Sequence, residues 1–83
     1  MIKKIYKFGG ASVKDAEAVR NLAQIVSQHK AEDILLVVSA MGKTTNMLEK
    51  VLADFRDHDG NLGMEALHEV IAYHDGIIND LFG

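Results

Sequence analysis

No cysteine occurs among the 83 residues, which excludes a disulfide framework and a thiolate zinc site and fits a reducing compartment. Nowhere are Lys and Arg interleaved with aromatic side chains, and the formal charge is -3. A nucleic-acid or anionic-membrane surface would call for the opposite balance, so neither partner is expected. The longest apolar run, ILLVVSAM (34–41), is far too short to span a bilayer. A signal-peptide pattern is missing too, since Met1 leads directly into a strand-like stretch; the expectation is a soluble, cytoplasmic protein. Repeats, linkers and low-complexity tracts are absent. What is present is 48% apolar and 25% charged, the composition of an ordinary globular chain, and its length allows at most one small domain.

The apolar pattern predicts β-α-β-α-α. KKIYKF (3–8) is rich in β-forming residues and reads as a strand. From Val13 to about Lys30 the spacing turns helical, with Val19, Leu22, Ala23 and Val26 on one stripe. Ser12 and Asp15 have the spacing of a capping box at its start. ILLVV (34–38) does not alternate, as expected of a strand covered on both faces in a parallel sheet. Asn46 with Glu49 predicts the next N-cap, followed by the stripe Leu48, Val51, Leu52 and Phe55. DHDGN (57–61) reads as a turn, with Gly60 as a left-handed C-cap. A third helix from about Met64 places Leu67, Val70, Ile71, His74, Ile77 and Ile78 on or near one face. Two strands cannot cover three amphipathic helices, so the pattern is that of the opening piece of a larger α/β domain.

Two loops carry candidate chemistry, each leaving a strand's carboxyl end and entering a helix, the edge where open α/β sheets bind ligands. In KFGGAS (7–12), bare backbone at Gly9 and Gly10 can form an anion nest, with Lys7 adding a full positive charge. The competing reading is a tight turn in which the glycines only supply positive φ. The dinucleotide fingerprint G-x-G-x-x-G is absent. In SAMGKTTN (39–46), GKTT suggests a P-loop, but that motif needs a glycine where Val37 stands. Ser39, Thr44 and Thr45 instead offer hydroxyls to a small polar substrate, while Thr45 or Asn46 also suits helix capping. His68 and His74 lack the H-E-x-x-H zinc spacing, and Glu65 with His68 is a single E-x-x-H without partners. No metal ligand is assigned on this chain.

Together, YKFGGASV after an N-terminal strand and VVSAMGKTTN about thirty residues later resemble the start of the aspartate kinases, members of the amino-acid kinase family. The likeness covers essentially the whole chain, including the segment YHDGIINDLF. In that family the first motif usually reads KFGGTSV, so Ala11 stands here in place of a threonine. The resemblance implies a three-layer parallel-sheet kinase domain of which residues 1–83 are the N-terminal, aspartate-binding part. It implies that Lys7, Phe8, Gly9 and Gly10 hold the ATP phosphates, with Lys7 near the transferring group, and that Ser39 and Thr45 contact aspartate. Ser12 matches the motif serine, although its capping role is preferred. ATP and Mg2+ are implied, the metal held mainly by the phosphates and by parts of the family's fold outside this chain, as are the nucleotide-binding half and regulatory domains.

The implied reaction fits the residues. A carboxylate attacking the γ-phosphate is already ionised, so the obstacle is bringing one anion against another, and positioning with countercharge supplies the remedy. The rival enzyme readings are kinases of the same superfamily acting on glutamate, acetylglutamate or a nucleoside monophosphate, against which the SAMGKTTN loop discriminates. A rival from another class is a non-catalytic α/β interaction module that keeps a vestigial nest. The isolated 83 residues are expected to be inactive. They are also expected to self-associate through an exposed strand edge and the third helix's apolar stripe.

Overall fold

The structure is a computed structural model and describes residues 1–58 and 60–83. Its elements run β1 (Lys4–Phe8), a 3₁₀ turn (Gly10–Val13), α1 (Ala16–Ser27), β2 (Ile34–Val38), α2 (Thr44–Asp57) and α3 (Gly60–Phe82). This is the expected α/β order. The strands pair in parallel from Lys4 opposite Ile34 to Phe8 opposite Val38, as a helical crossover between them demands. No described helix is long and apolar enough to cross a membrane. The chain divides into two compact units, Met1–Gly42 and Lys43–Gly83.

In the first unit the unalternating run ILLVV becomes β2 with the expected bounds. The strand face carrying Tyr6 and Phe8 is the more covered one; the Tyr6 ring lies 5.1 Å from that of His29, just beyond α1. The opposite face is open, with Ile5 60% and Val37 47% exposed. Val38 on the Phe8 side is 50% exposed, so β2 is not covered on both faces as its unalternating run predicted. Val13 and Ala16 are buried at the entrance to α1, and Val19, Leu22, Ile25 and Val26 are half-buried, whereas Ala23 is exposed. The expected start of α1 is corrected. Asp15, not Ser12, is the N-cap, its carboxylate accepting from the Ala18 N–H at 2.8 Å. Ser12 sits inside the 3₁₀ turn, its N–H donating to the Gly9 carbonyl. The carboxylate three residues closer to the helix wins because it reaches an otherwise unpaired first-turn N–H.

The second unit packs α2 against α3. Here the sequence expectations fail in three places. Asn46 is not the N-cap, because α2 begins at Thr44 and its N-cap is Lys43, whose side chain caps nothing. Gly60 is the first residue of α3 rather than a left-handed cap, and positive φ among the described residues is confined to Gly42 and Gly83; the rest of the expected 57–61 turn includes Asp59, which lies outside the described residues. Finally, the face of α2 turned inward carries buried Thr44 and Asp54 with half-buried Met47 and Val51, while Leu48 and Leu52 are exposed and the partly exposed Phe55 lays its ring against Gly63 of α3.

On α3 the buried residues are Gly63, Ala66, Val70 and Ile77. Leu67 and His74 are half-buried, but Ile71 and Ile78 are about half exposed, at 48% and 50%. Small residues take the contact because the helices approach closely: a Cβ on Gly63 would lie 2.5 Å from the Phe55 ring. Buried Asp54 is paired with Lys50 Nζ at 2.8 Å, one helical turn away.

Candidate functional site

The carboxyl ends of β1 and β2 are laced together. The Ser39 N–H donates to the Phe8 carbonyl at 2.9 Å, extending the ladder by one rung, and the Gly42 N–H donates to the Gly10 carbonyl at 3.0 Å. Phe8, Gly9, Gly10 and Ser39 therefore converge on one edge of the sheet, with Lys7 as the penultimate residue of β1. Thr45 lies in the second unit, exposed in the first turn of α2.

The glycines of the first loop serve neither of the simple purposes. Neither Gly9 nor Gly10 has positive φ, so the reading as a turn that needs left-handed residues is set aside. Gly9 is extended, at φ -75° and ψ 179°, a conformation any residue adopts. A side chain there would meet nothing within 4 Å. Gly10 is different. A Cβ on it would collide with the Gly42 carbonyl oxygen and lie 3.3 Å from that carbonyl's carbon and 3.5 Å from the Ala40 oxygen. Its bareness lets the two loops touch. Gly42 in turn occupies φ 54°, where a Cβ crowds its own backbone.

This arrangement leaves donors at the edge. The N–H groups of Gly10 and Ala11 open the 3₁₀ turn and have no carbonyl one turn back within it. A Cβ on Gly9 would meet nothing within 4 Å, so the backbone there is unobstructed. Lys7 is exposed, and among the described residues no ion pair involves it. On the opposite, amino edge of the sheet the charges are consumed locally. Glu32 accepts from His29 Nδ1 at 2.7 Å and lies 3.6 Å from Lys4 Nζ. The His29 hydrogen bond, aided by Lys4, holds the Glu32 carboxyl below its ordinary value of 4.5.

A pairing that sequence reasoning did not find stands at the entrance to α2. Thr44 is buried, and its hydroxyl lies 3.4 Å from His74 Nε2, while His74 Nδ1 lies 2.8 Å from the Val70 carbonyl. Thr44 was legible as a hydroxyl at the helix entrance, but no local signal pairs it with a histidine thirty residues on. Among the described residues no group of three or more His, Asp or Glu is gathered to hold a metal ion, and Glu65 and His68 form no exception.

Residues 3–79 match the model of the amino acid kinase family. The chain is similar to a bifunctional aspartokinase/homoserine dehydrogenase 2 of Arabidopsis thaliana, 32% identical over 93% of this chain and 8% of that protein. It is also similar to a bifunctional aspartokinase/homoserine dehydrogenase of Daucus carota, 40% identical over 78% of this chain and 7% of the relative. A Geobacillus stearothermophilus aspartokinase is 37% identical over 76% of this chain and 16% of its own length. The chain thus spans less than a fifth of these relatives. No solved structure matches it.

Proposed function

Because this chain belongs to the amino acid kinase family, we propose that it is the N-terminal part of an aspartate kinase domain, one that phosphorylates the side-chain carboxylate of L-aspartate from ATP. The observation that carries this reading is the lacing of the KFGGAS and SAMGKTTN loops at one sheet edge through the Gly42–Gly10 hydrogen bond. The relatives named as aspartokinases support the choice of aspartate among the family's substrates.

The roles follow from the chemistry of each group. The backbone of Phe8, Gly9 and Gly10 cradles the ATP phosphates, and Lys7 brings a fixed positive charge beside the phosphoryl group in transfer. Ser39 and Thr45 present hydroxyls to aspartate. An aspartate carboxylate oxygen attacks the γ-phosphorus, the bond to the bridging oxygen breaks, and ADP leaves with that oxygen's electron pair. No general base is needed, since the nucleophile is already ionised. Magnesium, when bound with the nucleotide, would supply further countercharge, and no residue of this chain is assigned to it. The work of these loops is to lower the repulsion between two anions and to hold them in line.

The test is aspartyl hydroxamate formation in the presence of hydroxylamine, measured on the product of the complete reading frame and on the 83 residues alone. Aspartate-dependent signal from the first and none from the second is expected. Turnover of glutamate, acetylglutamate or a nucleoside monophosphate in place of aspartate contradicts the substrate; turnover by the 83 residues contradicts the division of labour.

We further infer that the isolated 83 residues self-associate. Ile5, Val37, Leu52, Ile71 and Ile78 all stand about half exposed, and each forfeits about half of the roughly 1.5–3 kcal/mol that full burial would give. The margin of a whole domain is only about 5–15 kcal/mol. Sedimentation equilibrium is expected to show mass rising with concentration, with melting temperature following it; a strict monomer with a sharp, concentration-independent melt contradicts this.

A further inference from the structure

We propose that His74 is a positioning residue for the substrate-side loop: it holds the Thr44 hydroxyl, and so fixes the start of α2 from which Thr45 meets the amino-acid substrate. The proposal rests on the aspartate reading above.

Three observations converge. First, α2 has no side-chain N-cap, because Lys43 makes no side-chain hydrogen bond to the helix, whereas α1 is capped by Asp15 at 2.8 Å. Second, a side chain thirty residues away reaches the entrance of α2: His74 Nε2 lies 3.4 Å from Thr44 Oγ1, and Thr44 is buried at 7% exposure. Third, the ring is oriented from behind. Its Nδ1 is 2.8 Å from the Val70 carbonyl oxygen, which can only accept, so the proton sits on Nδ1. In the neutral ring Nε2 then carries a lone pair, and the Thr44 hydroxyl donates to it. Tyr73 meets the same ring edge-on at a centroid distance of 5.3 Å. The arrangement repeats the logic by which a second group sets the tautomer of a functional histidine, here applied to a hydroxyl at a helix start.

A half-buried histidine that merely satisfies its own nitrogens would affect stability and nothing else. A positioning residue separates KM from kcat. In the product of the complete reading frame, His74→Phe is expected to raise the KM for L-aspartate about tenfold, the worth of one hydrogen bond, with kcat and the KM for ATP within about twofold of the parent. His74→Gln, whose amide oxygen accepts from Thr44 as Nε2 does, is expected to restore the aspartate KM to within about threefold. Thr44→Val keeps the side-chain volume and is expected to reproduce the His74→Phe effect, with no further loss when the two are combined. An unchanged aspartate KM in both His74→Phe and Thr44→Val overturns the proposal, as does an equal fall of kcat and kcat/KM in all variants.

Nitrogen NMR of the imidazole in the same protein keeps the proposal separable from its substrate. Nδ1 protonated, Nε2 unprotonated, and an Nε2 resonance that moves on Thr44→Val are expected whether or not aspartate is turned over. A ring protonated at Nε2, or an Nε2 signal indifferent to Thr44→Val, overturns it. Correct NMR signatures with no aspartate-dependent turnover would instead locate the failure in the aspartate reading.

Discussion

The loop after β1 enters its helix through a 3₁₀ turn with Gly9 extended and Asp15 capping α1. The loop after β2 turns on Gly42 at φ 54° and enters α2 behind Lys43, whose side chain caps nothing. Both leave parallel strands at the same sheet edge, yet their glycines meet different physical demands. Gly42 supplies a backbone conformation that side chains resist. Gly10 supplies room for the neighbouring loop. Gly9 supplies neither, because a side chain there would touch nothing. Gly60 and Gly76 are equally open, so it is the proposed phosphate role, and not the fold, that would give Gly9 its purpose.

The largest expected effect breaks the site and leaves the scaffold. Lys7→Ala in the complete enzyme should lower kcat by two to three orders of magnitude, since losing one preorganised charge donor at a transferring group costs about 3–4 kcal/mol. Its thermal melt should hardly move, because Lys7 is exposed; a kcat within a few-fold of the parent would remove Lys7 from the phosphate site. The helix entrances come next. Asp15→Ala should cost about 1 kcal/mol of stability in chemical denaturation, while Lys43→Ala at the equivalent position of α2 should stay within about 0.5 kcal/mol. Equal losses would mean that the two entrances are fastened alike.

The smallest effect lies at the amino edge of the sheet. Glu32 is held below its usual value of 4.5 by His29 and Lys4, so its contribution to stability is fully present above that value. It is lost as pH falls through the lower, folded value. Acid titration of the melting temperature should therefore show a shallow loss below about pH 4.5 that Glu32→Gln removes. Because the carboxylate is on the surface, a large effect there would be unexpected.

The sheet was the most legible part of the fold. ILLVV has no alternation and matches β2 residue for residue, because a run of apolar β-branched and leucine side chains suits few other structures. Helix starts were less legible. Ser12 and Asp15, and likewise Thr44, Thr45 and Asn46, are all capping types set close together, and local side-chain bonds compete over such short stretches. The inner face of the helix pair was misjudged for a different reason. Periodicity finds the most apolar stripe, which on α2 is Leu48, Val51, Leu52 and Phe55; Val51 is half-buried and the Phe55 ring meets Gly63, but Leu48 and Leu52 stand exposed. Close approach of two helices instead selects small residues, here Gly63 and Ala66. Of the candidate site, the two loops were legible as motifs. Its lacing was not, since nothing local says that Gly10 and Gly42 will touch, and the Thr44–His74 contact joins residues thirty positions apart.

Substituting Gly9 and Gly10 separately by alanine in the complete enzyme, and reading the KM for ATP beside the melting temperature of each, tests the distinction between site and scaffold most directly. Gly10→Ala should lose about 1–3 kcal/mol of stability, because its Cβ meets the Gly42 backbone. Gly9→Ala should keep or gain stability, by about 0.4–1 kcal/mol through a less flexible unfolded chain. The same change should raise the KM for ATP about tenfold or more by filling the cradle. A Gly9→Ala enzyme with an unaltered KM for ATP would contradict the account, since the open space over Gly9 would then serve no phosphate.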